Sequence, residues 1–330
     1  MCNERYFLPS TNDNTDRTAD IQQMLEQHGV CMLGDGVYVV SGVDMPKSSA
    51  LMGVGAATKV LLNETVQEGY AVRLNSYCTV KDMHVMGCTQ AIERPTEVGK
   101  RHGLMFLGDA TPKQFGGQHR NSIITGCIIT AFAGGGITCH DTGYVTMCSL
   151  TVSDCHILNC GAGINIDHFS EFHKFTNVLS ETNLYGCINN GGNNVFVNCG
   201  FNSNTTAFLI DNSQKQSPNC AHGSAVGCTF NHSGGNKGVG IKILGAKPGY
   251  IFSGCQLFYS KIVLEDSWGV VFEGMNFGKN MDISIQGGTL TMFSNSSFSN
   301  LPASIHVEDN PHVKFINCFT RDEACQEVGL

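Results

Sequence analysis

Every twenty to thirty residues the chain returns to one short phrase: an aliphatic or aromatic residue, two small or polar ones, then a cysteine or its stand-in. It reads Ile124-Thr-Gly-Cys127, Val145-Thr-Met-Cys148, Phe196-Val-Asn-Cys199, Ala225-Val-Gly-Cys228, Phe252-Ser-Gly-Cys255 and Phe315-Ile-Asn-Cys318, with Val178, Met275 and Ser296 in the same column of intervening copies. The shortest steps, such as Met275 to Ser296, are near 21 residues, and the longer ones are that unit plus an insertion. A fixed period of this length is the signature of a solenoid, in which each repeat buries its apolar face only against its neighbours.

A second column ends short alternating runs at Leu107, Cys139, Ile166, Ile188, Ile210, Ile243, Leu264, Ile285 and Val307. Runs such as Ile164-Asn-Ile166 and Ile283-Ser-Ile285 place apolar residues two apart, the period of a half-buried strand rather than of a helix. Two strand columns per repeat, separated by Gly, Asn and Ser turns, predict an all-β, single-stranded parallel β-helix of about ten coils. Adjacent coils then lie at the inter-strand distance of about 4.8 Å. A leucine-rich repeat would need a helix or a Leu consensus in each unit, and neither is present.

The organisation expected is one domain over 1–330, with a capping helix at 16–29, coils over 30–320 and a tail at 321–330. In the helix, Thr18 is the expected N-cap, Gly29 the stop, and Ile21, Met24 and Leu25 the buried stripe. Such a helix covers a solenoid end that otherwise exposes unpaired strand edges. Thirty-nine glycines serve the turns, and the net charge of −8 argues against nucleic acid or an anionic membrane as partner. No run of eighteen apolar residues exists to span a bilayer, and Met1–Ser10 lacks a basic-then-apolar signal pattern. Sixteen cysteines, none in a CxxC pair, recur a full coil apart. That favours a ladder of free thiols over disulfides or zinc, and with it a cytoplasmic or virion-associated protein.

Three segments, Thr15-Asp-Arg-Thr-Ala-Asp-Ile21, Gly36-Val-Tyr-Val-Val-Ser-Gly42 and Leu51-Met-Gly-Val-Gly55, resemble the capping helix, "G-x-Y" strand and "L-x-G-x-G" first coil of the pectate-lyase-like superfamily. With the repeats, the likeness runs to Cys318. It implies a right-handed parallel β-helix and an oligo- or polysaccharide ligand. Members include pectate lyases, polygalacturonases, fructotransferases acting on inulin and phage tailspikes; many of the last two are trimers, so a homotrimer is expected here.

Residues just past the second column stack along one outer edge: Gly108-Asp109, His140-Asp141, Asp167-His168, Asn189-Asn190, Asp211-Asn212 and, farther on, Glu265-Asp266 and Glu308-Asp309. Carboxylates one or two coils apart would be separated by about 5 or 10 Å, bracketing the spacings of retaining and inverting glycosidases. Asp and Asn are also ordinary turn residues, so any single position is more simply structural. The stretch from Asp109 to Asp211 stands out because His119, Arg120, His140, His168, Glu171 and His173 crowd it, and because insertions at 110–121 and 213–222 flank it. Asp141 and Asp167 are the leading catalytic pair, with Asp109 and Asp211 as alternates. His140, His168, Asn190, Glu171, His173, His119 and Arg120 are the expected substrate-binding set, with no metal.

The reaction expected is cleavage or transfer of a glycosidic bond, as in a hydrolase or a fructotransferase-like enzyme, without a cofactor. A uronate lyase, with calcium to offset substrate charge, is the alternative; Lys174 and Arg120 are the basic residues offered, and no basic stripe accompanies them. The Asn-Thr-Asp, Asp-Asp, Gly-His-Gly and Arg-Ile-Lys elements of polygalacturonases are absent as a set. A non-catalytic glycan-binding or tailspike-type protein is the third reading.

Overall fold

The computed structural model of the chain describes residues 6–89, 93–107, 121–140, 149–214, 222–235, 238–247, 249–278, 281–299, 304–310, 312–321 and 327–329. The repeated phrase has a conformational cause. The position before each cysteine-column residue is left-handed: Asp82 (φ 54°), Gly126 (64°), Asp154 (54°), Asn177 (54°), Asn198 (52°) and Asn317 (51°) are examples. Gly, Asn and Asp tolerate that region best, which is why the phrase carries them. One such residue bends the chain sharply, ending one strand and starting another two residues later, as from Ser122–Thr125 to Ile128–Thr130. The residue after the bend turns inward. Met83, Cys127, Cys155, Val178, Cys199, Cys228 and Cys255 are each at most 3% exposed, and each carbonyl that has a partner in the next coil accepts its N–H, as His156 N to Cys127 O at 2.9 Å and Leu179 N to Cys155 O at 2.9 Å.

That ladder corrects one reading. Cys155 fills the column between Cys127 and Val178; the phrase at Val145–Cys148 lies outside the described residues.

Each coil has three strands rather than two. They stack into a right-handed parallel β-helix; among the described residues its first and second sheets hold 13 strands each and its third holds 11. Strands of the second sheet are two to five residues long and begin almost where the first sheet ends, so sequence alternation merges them with it. The third sheet is the second sequence column, with a register differing at two places. Phe106, Cys139, Ile166, Asn189, Ile210, Ile243, Leu264, Ile285 and Val307 form its inward row, so the row runs through Phe106 rather than Leu107, and Ile188 faces outward where Asn189 faces inward.

Inside, side chains repeat at coil spacing and therefore stack. Phe175 and Phe196 lie 4.8 Å apart between ring centroids at 8°, and Phe252, Phe272, Phe293 and Phe315 continue as a second pile. The thiols at the bends donate to carbonyls two residues back, as Cys155 Sγ to Ser153 O at 3.2 Å. Burial pushes Cys31 and Cys160 up to about 12, which keeps them protonated.

The N-terminal end is covered by the helix Thr18–His28, which buries Ile21 and Leu25. Thr18 is its first residue rather than its cap: Asp16 Oδ1 accepts the Thr18 N–H at 2.8 Å, while Thr18 Oγ1 accepts from Ser41 N. Gly29 ends it at φ 69°. At the other end, Glu327–Gly329 pairs antiparallel with Phe319–Arg321.

Candidate functional site

The outward face of the third sheet gathers the titratable groups, and register decides which of them meet. The pairing Cys139↔Ile166 puts His140 beside Asp167. His140 Nδ1 lies 2.5 Å from Asp167 Oδ2, with the side chains 44% and 26% exposed. Asp167 therefore meets His140; its expected partner Asp141, with Asp109, His119 and Arg120, lies outside the described residues. The outward row continues through Asn190 to Asp211, each the next residue after the inward Asn189 and Ile210. Asn190 Oδ1 accepts the Asp211 N–H at 2.7 Å, and Asp211 Oδ1 accepts from Ser213 N and Oγ at 3.0 and 2.6 Å, an Asx turn. Asp211 is thus both a turn former and a carboxylate on the same edge as Asp167.

One row across the sheet, sequence reading missed His102. Its Nδ1 accepts the Gly135 N–H at 3.0 Å and contacts Thr138 Oγ1 at 2.9 Å, so the ring carries its proton on Nε2. Burial, reinforced by His140, pushes its pKa down to about 4, with Asp167 pulling weakly the other way. The His102 and His140 rings meet edge-on at 6.3 Å. Asn165 and Tyr185 are half-buried on the same face, while Gly135 and Ala162 leave its floor low.

Three expected binders do structural work. His173 is fully buried; its Nδ1 accepts the Leu150 N–H at 3.2 Å, its Nε2 contacts Ser170 Oγ at 2.8 Å, and burial lowers its pKa to about 3. His168 is 9% exposed, and its Nε2 donates to the Asp211 carbonyl at 2.9 Å, tying two turns together. Glu171 is 4% exposed and accepts from Asn193 Nδ2 through Oε2 at 3.0 Å; its Oε1 has no hydrogen-bond partner among the described residues.

One border of the face comes from a segment that the sequence reading passed over. Arg94 donates through Nε to Thr182 O (3.2 Å), through one terminal nitrogen to Thr205 Oγ1 (3.0 Å) and through the other to Ser203 O (2.5 Å). Gly99 N donates to Ala133 O at 2.7 Å. The chain around 93–99 thus runs along the corner between second and third sheets. Its sequence signal is the long step from Met83 to Cys127 in a column of shorter ones. The loops 167–173 and 190–193 lie at the opposite corner. Among the described residues no group of three or more His, Cys, Asp or Glu side chains is arranged to hold a metal ion, and no helix is long and apolar enough to cross a membrane.

No protein-family model matches the sequence, and no curated protein matches it. Solved structures do match in fold. The A-module of the mannuronan C-5 epimerase AlgE4 of Azotobacter vinelandii is similar at TM-score 0.65 and 13% identity, over 94% of this chain and 93% of that one. A DFA-IIIase from Arthrobacter chlorophenolicus A6, solved in complex with GF2, gives 0.57 and 10% over 98% of both chains. The tailspike gp49 of Acinetobacter baumannii bacteriophage Fri1, a capsular polysaccharide depolymerase, gives 0.53 and 11% over 99% of this chain and 65% of its own. At these identities the likeness establishes the fold alone, a right-handed parallel β-helix.

Proposed function

We propose that the protein is a carbohydrate-active enzyme that binds an oligo- or polysaccharide along the outward face of the third sheet and cleaves or transfers a glycosidic bond there. The observation that carries the reading is the His140–Asp167 contact at 2.5 Å on that face, with Asp211 on the same row two coils farther on. Two coils separate the carboxyl-bearing residues by about 10 Å, close to the upper end of the spacing at which inverting glycosidases hold a water between base and sugar. In this reading Asp167, oriented by His140, takes the proton of the attacking water or sugar hydroxyl. Asp211, whose Oδ1 is anchored by Ser213, presents its second oxygen to protonate the leaving oxygen. His102, neutral with its proton on Nε2, is a hydrogen-bond donor to a sugar hydroxyl. Asp141, the leading partner of Asp167 in the sequence reading, is the other candidate for the acid. That the known structures of similar fold include a polysaccharide depolymerase and a mannuronan epimerase supports a glycan ligand.

The same contact favours one second reading. An imidazole oriented by a carboxylate is also a general base, and His140 could abstract the proton beside a uronate carboxylate, giving β-elimination. Product mass spectrometry on a glycan panel separates the two. Hydrolysis adds the elements of water, transfer yields an anhydride or a longer chain, and elimination leaves an unsaturated sugar. The proposal expects one of the first two. Unsaturated products would replace it with the elimination reading, and binding without any product would make the protein a glycan-binding solenoid.

A further inference from the structure

The corner between third and first sheets carries, beyond the candidate site, the single tryptophan of the chain. Trp268 is 46% exposed, although an indole is the side chain with most to gain from burial. Its backbone is rigidly placed. The N–H donates to Ala246 O at 2.9 Å, the carbonyl accepts from Gly249 N at 3.1 Å, and the residue bridges in parallel to Thr289. Ser267 before it is buried, its Oγ bonded to Ile243 O and Glu265 O at 3.0 Å each. The turns on adjacent coils are built of Gly245, Ala246 and Gly249 on one side and Gly287 and Gly288 on the other. Backbone crowding explains two of these glycines: a Cβ on Gly249 would come 2.0 Å from Gly269 O, and one on Gly288 2.1 Å from Ser267 O. The next turn also carries Leu290, 61% exposed, so the indole belongs to a partly apolar, exposed corner. Lys247 Nζ lies 4.2 Å from the ring centroid, and the exposed carboxylates of Glu265 and Asp266 precede Trp268 on the same coil.

An exposed indole with a cationic donor over one of its faces, and two exposed carboxylates preceding it on the same coil, matches one ligand chemistry through its remaining exposed surface. A pyranose ring offers polarised C–H bonds to the π face, as a cation does, and hydroxyls at its rim that both donate and accept. We infer that Trp268 is a stacking platform for a neutral pyranose unit of the bound polysaccharide, with Lys247, Glu265 and Asp266 taking its hydroxyls. The strand preceding Trp268 lies two coils beyond that of Asp211, about 10 Å along the axis. A glycan laid along the solenoid from Asp167 therefore runs toward this corner, and the platform is a distal subsite. The inference rests on the reading of this chain as polysaccharide-binding, but not on which bond is broken.

Because Trp268 is the sole tryptophan, its emission reports on this position alone. The full-length protein is titrated with maltohexaose, cellohexaose, mannohexaose and N-acetylated chitohexaose. At least one is expected to shift or quench the emission saturably and to protect the indole from acrylamide. For that sugar, calorimetry is expected to show binding weakened tenfold or more by Trp268→Ala and less by Trp268→Phe, with the thermal midpoint of both near wild type. Absence of any emission response across the four sugars overturns the platform, as does wild-type affinity in a folded Trp268→Ala. Turnover assayed in parallel keeps the two proposals apart. An emission response without turnover removes the catalytic reading and leaves the platform, while cleavage without a response does the reverse.

Discussion

His173 gives the account a quantitative handle. The ring is sealed inside the solenoid with Phe106 and Phe175 edge-on at 6.1 and 6.5 Å, and the neutral form satisfies both nitrogens, through Leu150 N and Ser170 Oγ. Burial lowers its pKa from 6.5 to about 3. The folded state therefore refuses a proton down to about pH 3, while the unfolded state takes one up below pH 6.5. As pH falls through that window the unfolded state binds more protons and stability is lost, at about 1.4 kcal/mol per pH unit. Between pH 7 and pH 5 this amounts to about 2 kcal/mol from one residue. His173→Gln, whose amide can accept from Leu150 N and donate to Ser170, removes the titration while keeping the polar partners. His102 titrates in the same direction but is common to both proteins, so it cancels in the comparison. Solenoids can unfold piecewise, so the readout is hydrogen exchange in peptides covering 149–176 at both pH values. Wild type is expected to lose about 2 kcal/mol more protection than the variant on going to pH 5. Equal losses in the two proteins would refute a buried neutral His173.

Phe208 touches Phe196, Phe201, Phe230, Tyr250 and Phe252 with centroids 5.4 to 5.9 Å away, so Phe208→Ala is expected to destabilise by about 3–5 kcal/mol in denaturant titration; a loss below 1 kcal/mol would mean the stack is loosely packed. Thiol titration is expected to find most of the sixteen cysteines unreactive in the native protein and reactive once denatured without reductant. If most are oxidised in pairs, the thiol ladder is wrong. We propose a homotrimer, on the resemblance to trimeric tailspikes and fructotransferases; light scattering giving a monomer mass at micromolar concentration would remove it.

The repeat was legible because the left-handed bend favours Gly, Asn or Asp and the next position takes an inward side chain, most often Cys, with Val, Met or Ser in its place. The same physics explains where the reading slipped. Val145-Thr-Met-Cys148 and Val152-Ser-Asp-Cys155 both fit the phrase, but only Asp154 is at ease at φ 54°, and the column runs through Cys155. At Ile188-Asn189 polarity misled: Asn189 faces inward and is fully buried, its Oδ1 accepting from Asn194 Nδ2 at 2.8 Å, while Ile188 faces out. A buried amide whose oxygen is hydrogen-bonded looks like a surface residue in sequence. The His140–Asp167 contact depends on register across 27 residues, as Cys139 to Ile166, which insertions of unknown path conceal. His173 was readable as core, because it alternates with Phe175 on the inward side of one run; its company of titratable neighbours suggested otherwise. His102 carried no local signal, since only the strand pairing brings it to the face.

The central claim is that chemistry takes place at the His140–Asp167 face, and Asp167→Asn tests it most directly. On a glycan that the wild type is seen to cleave, single-turnover rates are measured together with oligosaccharide affinity and the thermal midpoint. The account predicts a rate lower by a factor of about a thousand or more, affinity within a few fold of wild type and an unchanged midpoint. A folded Asp167→Asn that retains near-normal turnover would contradict it.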